Sequence, residues 1–105
     1  MPDSDVTYRR ATYVPLVGTA FEVHRPDGGA VGVELVDASE LRGGPGECFS
    51  LVFCGTADAA LDQRTYRMEH GSLGEFALFL VPIGPAEDGR PQFEAVINRL
   101  GGQSG

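Results

Sequence analysis

The sequence predicts an all-β, mainly antiparallel domain, in which six strands form a small barrel or a two-layer sandwich with a short N-terminal helix. Apolar and polar residues alternate with a period of two through most of residues 19–98. No segment has a helical pattern long enough for a parallel crossover, which needs a dozen or more residues. The 105 residues, 42% of them hydrophobic, suffice for one core. We therefore expect a flexible N-terminal segment (1–11), a single β domain (12–98) and a flexible tail (99–105).

The first expected element is a helix of about two turns. Thr12 is suited to cap it, and Gly18 is suited to end it. Its apolar residues Tyr13, Leu16 and Val17 share one face, because they are spaced at i, i+3 and i+4. The helix is predicted to plug one open end of the sheet.

The first half of the sheet is predicted as three strands. Residues 19–24 alternate, and PDGG (26–29) is typical of a turn. The next strand, 30–41, changes phase at Val36, which indicates a bulge. A loop is expected at 43–47. In the third strand, residues 48–55, one face carries Phe49, Leu51 and Phe53.

The second half is predicted as three further strands. Residues 55–64 break the alternation, with a single helical turn expected at 57–61. Strands are expected at 64–70 and 92–97. Between them, the strand at 75–83 is apolar on both faces, and we expect it to need cover on both.

The stretch His70-Gly71-Ser72-Leu73-Gly74 misses the G-x-S-x-G motif of serine hydrolases by one residue. A nucleophile elbow is followed by a helix, whereas a strand pattern follows here. The sequence therefore predicts a four-residue hairpin tip, GSLG. In that hairpin we expect three opposed pairs: His70 with Glu75, Met68 with Ala77, and Tyr66 with Phe79.

Composition excludes several classes of function. The net charge is −7, so binding to nucleic acid is not expected. The longest apolar run is far shorter than the ~18 residues of a membrane span. The N-terminus has no secretory signal pattern, so we expect a cytoplasmic protein. The absence of lysine beside eight arginines is typical of a GC-rich bacterial genome.

The candidate chemical groups form no recognisable site in the sequence. Cys48 and Cys54 lie ~20 Å apart along one predicted strand, too far for a disulfide. Two histidines and two cysteines lack the spacing of a metal site, and GGPG lacks the lysine of a phosphate loop. Two acidic clusters are interpreted as solvated edges rather than calcium sites: Glu34/Asp37/Glu40 and Glu87/Asp88. We expect no catalytic, cofactor-binding or metal-binding residues.

Four blocks carry a resemblance to a known family: LVGTAFEV (16–23), FSLVFCG (49–55), TYRMEHGSLGEFALFLVPIG (65–84) and FEAVIN (93–98). Over residues 12–98 the chain resembles an uncharacterised bacterial family of short domains of unknown function. Cys54 and Arg64 depart from the family pattern. The resemblance implies a compact β domain, and it favours a structural or assembly role, in association with phage-tail-like systems, over an enzymatic one.

Three functions follow as hypotheses. The first is a non-enzymatic protein-interaction or assembly module, binding a protein partner or a second copy. The second is a binder of a small apolar ligand inside the barrel, in a cavity lined by Tyr13, Phe21, Phe53, Tyr66 and Phe79; simple filling of the core is favoured over it. The third and least favoured is an enzyme using His70 with Glu69 or Glu75.

Overall fold

The computed structural model describes residues 10–42, 47–56 and 61–99, and its six strands close into an antiparallel barrel. A one-turn helix, α1 (Arg10–Tyr13), runs into a 3-10 turn at Val14–Leu16. The strands are β1 (Ala20–His24), β2 (Ala30–Arg42), β3 (Glu47–Gly55), β4 (Arg64–His70), β5 (Gly74–Ile83) and β6 (Gln92–Arg99). The predicted fold class is confirmed, and the barrel is the architecture.

The barrel consists of two three-stranded meanders, β1-β2-β3 and β4-β5-β6, joined at two seams. The strand order around the barrel is β1-β2-β3-β6-β5-β4. The long seam pairs Glu47–Cys54 of β3 with Gln92–Arg99 of β6. The short seam pairs β1 with β4 at three positions, centred on Val23 and Met68. Each seam joins segments that are distant in the sequence.

Successive residues of each strand point alternately into and out of the barrel, so the apolar residues of the sequence pattern face the interior. Alternate residues of every strand lie in one buried cluster, as Phe49, Leu51 and Phe53 of β3 do. A six-stranded barrel of this size is narrow enough for its own side chains to fill it. The buried cluster comprises Tyr13, Phe21, Val23, Val33, Leu35, Ala38, Phe49, Leu51, Phe53, Leu61, Tyr66, Met68, Leu78, Leu80, Phe93, Ala95 and Ile97.

The predicted bulge in β2 is confirmed. The pairing of β2 with β3 shifts between Leu35 and Asp37, so one extra residue is accommodated there. Leu35 is buried before the shift and Ala38 is buried after it. The extra residue therefore changes which positions of β2 face the core, from odd-numbered to even-numbered residues. A second irregularity lies between Glu40 and Arg42.

In the described residues the N-terminal helix spans Arg10–Tyr13, so it includes residues before the predicted cap Thr12, and it places Tyr13 in the core. The Tyr13 ring lies 6.0 Å from Phe49 and 6.5 Å from Phe21, measured between ring centroids. Arg10 Nε donates a hydrogen bond of 3.0 Å to the carbonyl of Ala38. The helical spacing predicts Val17 on the apolar face, but Val17 is 43% exposed. The helical geometry ends at the 3-10 turn and Val17 is extended (ψ 131°), so its side chain leaves that face.

The predicted register of the β4–β5 hairpin is wrong by one residue. The loop has three residues, Gly71–Leu73, and Gly74 already pairs with His70. Gly74 has a φ of +74°, the left-handed conformation that closes a three-residue hairpin loop with a bulge. The observed pairs are His70 with Gly74, Met68 with Phe76, and Tyr66 with Leu78.

This register turns every side chain of β5 relative to the prediction. Leu78 and Leu80 face the core, whereas Phe79 lies outside and is 49% exposed. The expected apolar face uniting Tyr66 and Met68 with Ala77 and Phe79 therefore does not form. The described residues leave the outer face of β5 uncovered, since Phe79 and Ile83 remain exposed.

Some predictions fall outside the described residues. These are most of the segment 1–11, the loop at 43–47 up to residue 46, the helical turn at 57–61 up to residue 60, and the tail beyond residue 99. Within the described part of the chain, no helix has the length and apolar character needed to cross a membrane.

Candidate functional site

The hairpin tip is fastened to the start of β1 through His70. The Ser72 backbone N–H donates to His70 Nδ1 at 2.9 Å, so Nδ1 is an acceptor and Nε2 carries the proton. Nε2 lies 3.0 Å from Thr19 Oγ1, which in turn donates to the carbonyl of Leu16 at 2.6 Å. The imidazole also packs on Phe21, with ring centroids 4.4 Å apart. His70 thus holds the tip with both nitrogens and one ring face.

The near-miss motif forms a hairpin turn, as predicted, but with three loop residues in place of four. His70 accepts its hydrogen bond from the backbone N–H of Ser72, whereas the base of a serine hydrolase interacts with the hydroxyl of its nucleophile. The two carboxylates considered as partners of His70 make other ion pairs: Glu69 with His24 at 3.0 Å, and Glu75 with Arg67 at 3.5 Å. The absence of catalysis stays a prediction.

A polar cluster lies on the outer surface where β1 meets β4. The register places Glu22 directly opposite Glu69, and His24 follows two residues along β1 on the same face. His24 Nε2 lies 3.0 Å from Glu69 Oε1 and 3.6 Å from Glu22 Oε1. The three potential ligand atoms all lie within 4.8 Å of one another. Among the described residues, this cluster has the geometry closest to a metal site.

A cleft adjoins this cluster. It is an open cleft with a volume of about 530 Å³, and it is lined by Ala20, Phe21, Glu22, Gly32, Glu69, His70 and Gly71. Gly32 pairs with Glu22 on the β2 side, and a Cβ built there would meet no atom within 4 Å. The cleft is open because Gly32 has no side chain beside Glu22.

A second cleft, of about 420 Å³, lies at the other end of β1. Arg25, Pro26, Asp27, Asp62, Arg64 and Tyr66 line it. Arg25 Nε is buried there and has no hydrogen-bond partner in the described part of the chain. The cleft mixes two cations with two carboxylates, so its charges balance.

The two acidic clusters singled out in the sequence contain members that already have partners. Asp88 accepts hydrogen bonds from the backbone N–H and from Nε of Arg90. The backbone bond, helped by the guanidinium, lowers the pKa of Asp88 below its usual value. Arg90 also approaches Glu34 at 3.8 Å, and Asp37 accepts a hydrogen bond from Ser39. Both cysteines are free, Cys48 half-buried and Cys54 buried, as their predicted separation requires.

The outer face of β5 is apolar. Phe79 is 49% exposed and Ile83 is 38% exposed. Ala77, two residues before Phe79 on the same face, is also exposed. Val81 pairs with Glu94 of β6, and Val96, which is 55% exposed, lies two residues further along β6 on the same outer side. We call the residues Ala77, Phe79, Val81, Ile83 and Val96 the β5 outer face.

The backbone edge beside this face is open in the described residues. Pairing between β5 and β6 covers only Val81–Ile83 and Gln92–Glu94. Beyond Val81, the residues of β5 back to Gly74 pair with β4 alone. Those of β6 from Ala95 onward pair with β3 alone. The pairing between the two strands therefore ends at Val81 and Glu94, on the side of Phe79 and Val96.

The residues suggested to line an internal ligand cavity do not all lie inside. Tyr13, Phe21, Phe53 and Tyr66 are buried, but Phe79 lies outside because of the hairpin register. The Phe21 and Phe53 rings are in edge contact, with centroids 5.3 Å apart. These rings pack on one another, which favours their interpretation as core.

Sequence reasoning missed the polar cluster and placed Phe79 on the wrong side. The alternation of β1 does put Glu22 and His24 on one outer face. Nothing local indicates that Glu69, from a strand more than 40 residues later, pairs beside them. For Phe79, the glycine at position 74 was the available signal, because a glycine at the end of a tip favours the three-residue loop.

The fold is thus that of a small closed β domain with a polar cluster on β1 and β4 and an apolar face on β5. A family model described as a domain of unknown function, DUF6916, matches residues 8–97, and the chain belongs to this family. The resemblance to an uncharacterised family of short domains is confirmed. No curated protein and no solved structure has significant similarity to the chain.

Proposed function

We propose that this domain is a non-enzymatic protein-interaction module that binds a partner through the β5 outer face. The observation that carries the proposal is the exposure of Phe79, Ile83 and Val96 on two adjacent strands. Scattered exposed apolar residues are normal on a monomer, but a contiguous group marks an interaction surface. The aromatic ring of Phe79 lies near the middle of the group, where binding energy is typically concentrated.

The short pairing between β5 and β6, which ends at Val81 and Glu94, supports the same surface. Unpaired backbone N–H and C=O groups at a strand edge accept an added strand from another chain. An extended apolar segment placed along Gly74–Leu80 would pair with the free edge of β5, while its side chains cover Phe79 and Val96.

The charge of the domain favours a basic partner over a second copy. The net charge is −7, and two copies would repel each other at low salt. Glu75 and Glu94 flank the β5 outer face, so lysines or arginines beside the apolar segment would add favourable interactions. The family resemblance implies an association with phage-tail-like systems, so we propose a structural protein encoded beside this chain as the first partner to examine.

The test compares Phe79→Ser with Val17→Ser. Val17 is 43% exposed at the end of the N-terminal helix, so it matches Phe79 in exposure but lies outside the β5 outer face. A purified candidate partner is titrated into each variant by calorimetry at two salt concentrations. We expect Phe79→Ser to weaken binding by about 30-fold or more, which corresponds to a loss of about 2 kcal/mol. Val17→Ser should bind as the unmodified chain does, and added salt should weaken binding throughout.

Two outcomes contradict the proposal. A partner whose affinity is indifferent to Phe79→Ser binds elsewhere. A dimer of this chain that dissociates on Phe79→Ser, detected by light scattering, identifies a second copy as the occupant and refutes the charge argument.

A further inference from the structure

The polar cluster on β1 and β4 places two carboxylates beside one imidazole nitrogen. Glu22 and Glu69 are directly opposed on neighbouring strands, and like charges in that position destabilise a sheet. The negative net charge of the whole chain adds to this repulsion. His24 lies between the two carboxylates with its side chain 22% exposed, and its Nε2 points at both. A positive charge at this point would relieve the opposition.

Two of the three distances among these ligand atoms are close to the edge length of a metal polyhedron. Zinc binds imidazole nitrogen and carboxylate oxygen at about 2.0–2.2 Å, so neighbouring ligands of a tetrahedral ion lie about 3.4 Å apart. The two distances from His24 Nε2, 3.0 Å and 3.6 Å, bracket that value. The whole set fits within 4.8 Å. Small side-chain rotations would therefore complete the geometry without moving the strands.

We propose that Glu22, His24 Nε2 and Glu69 bind one zinc ion, or a divalent transition ion of similar ligand preference. The imidazole selects against magnesium and calcium, which prefer oxygen ligands. Three protein ligands leave the fourth position open. The adjoining cleft beside Gly32 has room for a water molecule or an external ligand at that position.

This site goes beyond the proposed interaction role and does not depend on it. The ligands come from β1 and β4, whereas the β5 outer face lies on β5 and β6. A variant that loses zinc should still bind a partner through Phe79, and a variant that loses the partner should still bind zinc.

The experiment uses the full chain without an affinity tag, freed of metal and titrated with zinc by calorimetry. The variants are Glu22→Gln, His24→Gln and Glu69→Gln. We expect one ion per chain, and a loss of affinity of at least about tenfold for each variant, since even residues that only support a ligand contribute 10–100-fold. Glu75→Gln is the matched control, because Glu75 is an exposed carboxylate directly opposite Glu69 on the next strand but outside the ligand set.

Two further measurements distinguish this site from zinc binding elsewhere on the chain. Cobalt substituted for zinc should give ligand-field bands without a sulfur-to-metal charge-transfer band, because neither Cys48 nor Cys54 belongs to the ligand set. Zinc should raise the melting temperature of the unmodified chain and leave that of Glu69→Gln unchanged. Circular dichroism of each metal-free variant establishes that it is folded.

Three results would overturn the proposal. They are a zinc affinity equal in Glu69→Gln and Glu75→Gln, a thiolate band in the cobalt spectrum, and binding that is lost on Cys48→Ser but retained in the three variants. As a further expected result, Gly32→Leu should keep zinc binding while blocking an added ligand such as imidazole, because the new side chain fills the cleft beside Glu22.

Discussion

Replacement of Gly74 by alanine tests the hairpin register that determines which side of β5 faces out. Gly74 has a φ of +74°, and a Cβ built there meets no atom within 4 Å. The substitution therefore has no steric cost from neighbours, and only the left-handed backbone opposes it. That conformation costs an L-residue about 1–2 kcal/mol.

Gly71→Ala, in the same loop, is the matched control. Gly71 also has open space around a built Cβ, but its φ is not positive. Both substitutions restrict the unfolded chain to the same extent, so this term cancels between them. The free energy of unfolding of Gly74→Ala should therefore be lower than that of Gly71→Ala by about 1–2 kcal/mol. Each kcal/mol should lower the melting temperature by roughly 4–8 °C.

The assay is urea unfolding followed by far-ultraviolet circular dichroism, with the two variants measured side by side. Gly74→Asn should fall between them, because asparagine tolerates the left-handed region better than alanine does. If Gly74→Ala is as stable as Gly71→Ala, residue 74 is not left-handed. The three-residue loop closed by a left-handed Gly74 would then be incorrect.

Four further predictions address the core, the tip and the acidic turn. Leu78→Ala should cost about 2–5 kcal/mol in free energy of unfolding, whereas Phe79→Ala should cost less than about 1 kcal/mol, since only Leu78 is buried; equal losses would refute the register. Tyr13→Ala should cost about 3–5 kcal/mol in a thermal melt, because the ring fills the core beneath the helix. Thr19→Val should cost about 1–3 kcal/mol and speed hydrogen exchange of the Ser72 amide, because His70 loses its Thr19 partner; unchanged exchange would show that the link does not hold the tip. Asp88 has a lowered pKa, so its contribution to stability is present above about pH 3.8 and is lost as the pH falls through the lower folded value; a carboxyl titration by NMR that gives an ordinary pKa would contradict the turn geometry.

Strand positions were predictable because alternation is a local property. The buried residues of β1 and β3 follow from period two alone, and the bulge in β2 follows from its change of phase at Val36. The end of the N-terminal helix was harder to predict than the strands, since it depends on where Tyr13 packs in the core. Register in the β4–β5 hairpin was predicted incorrectly, because it depends on the conformation of the single residue Gly74.

The candidate sites were less predictable than the fold, since they depend on pairs distant in sequence. His24 and Glu69 come together only because β1 closes the barrel against β4. An alternation pattern contains no information about which strands become neighbours. His70 was recognised as part of a turn, but its bond to Thr19 likewise spans the short seam.

The two-meander construction also affects how the chain assembles. Contacts within β1-β2-β3 and within β4-β5-β6 join neighbouring segments, so each half can associate early, whereas the two seams must wait for the halves to meet. The complementary half of another molecule presents the same seams. Refolding at high concentration would therefore favour exchanged dimers, in which each barrel is built from half of one polypeptide and half of the other.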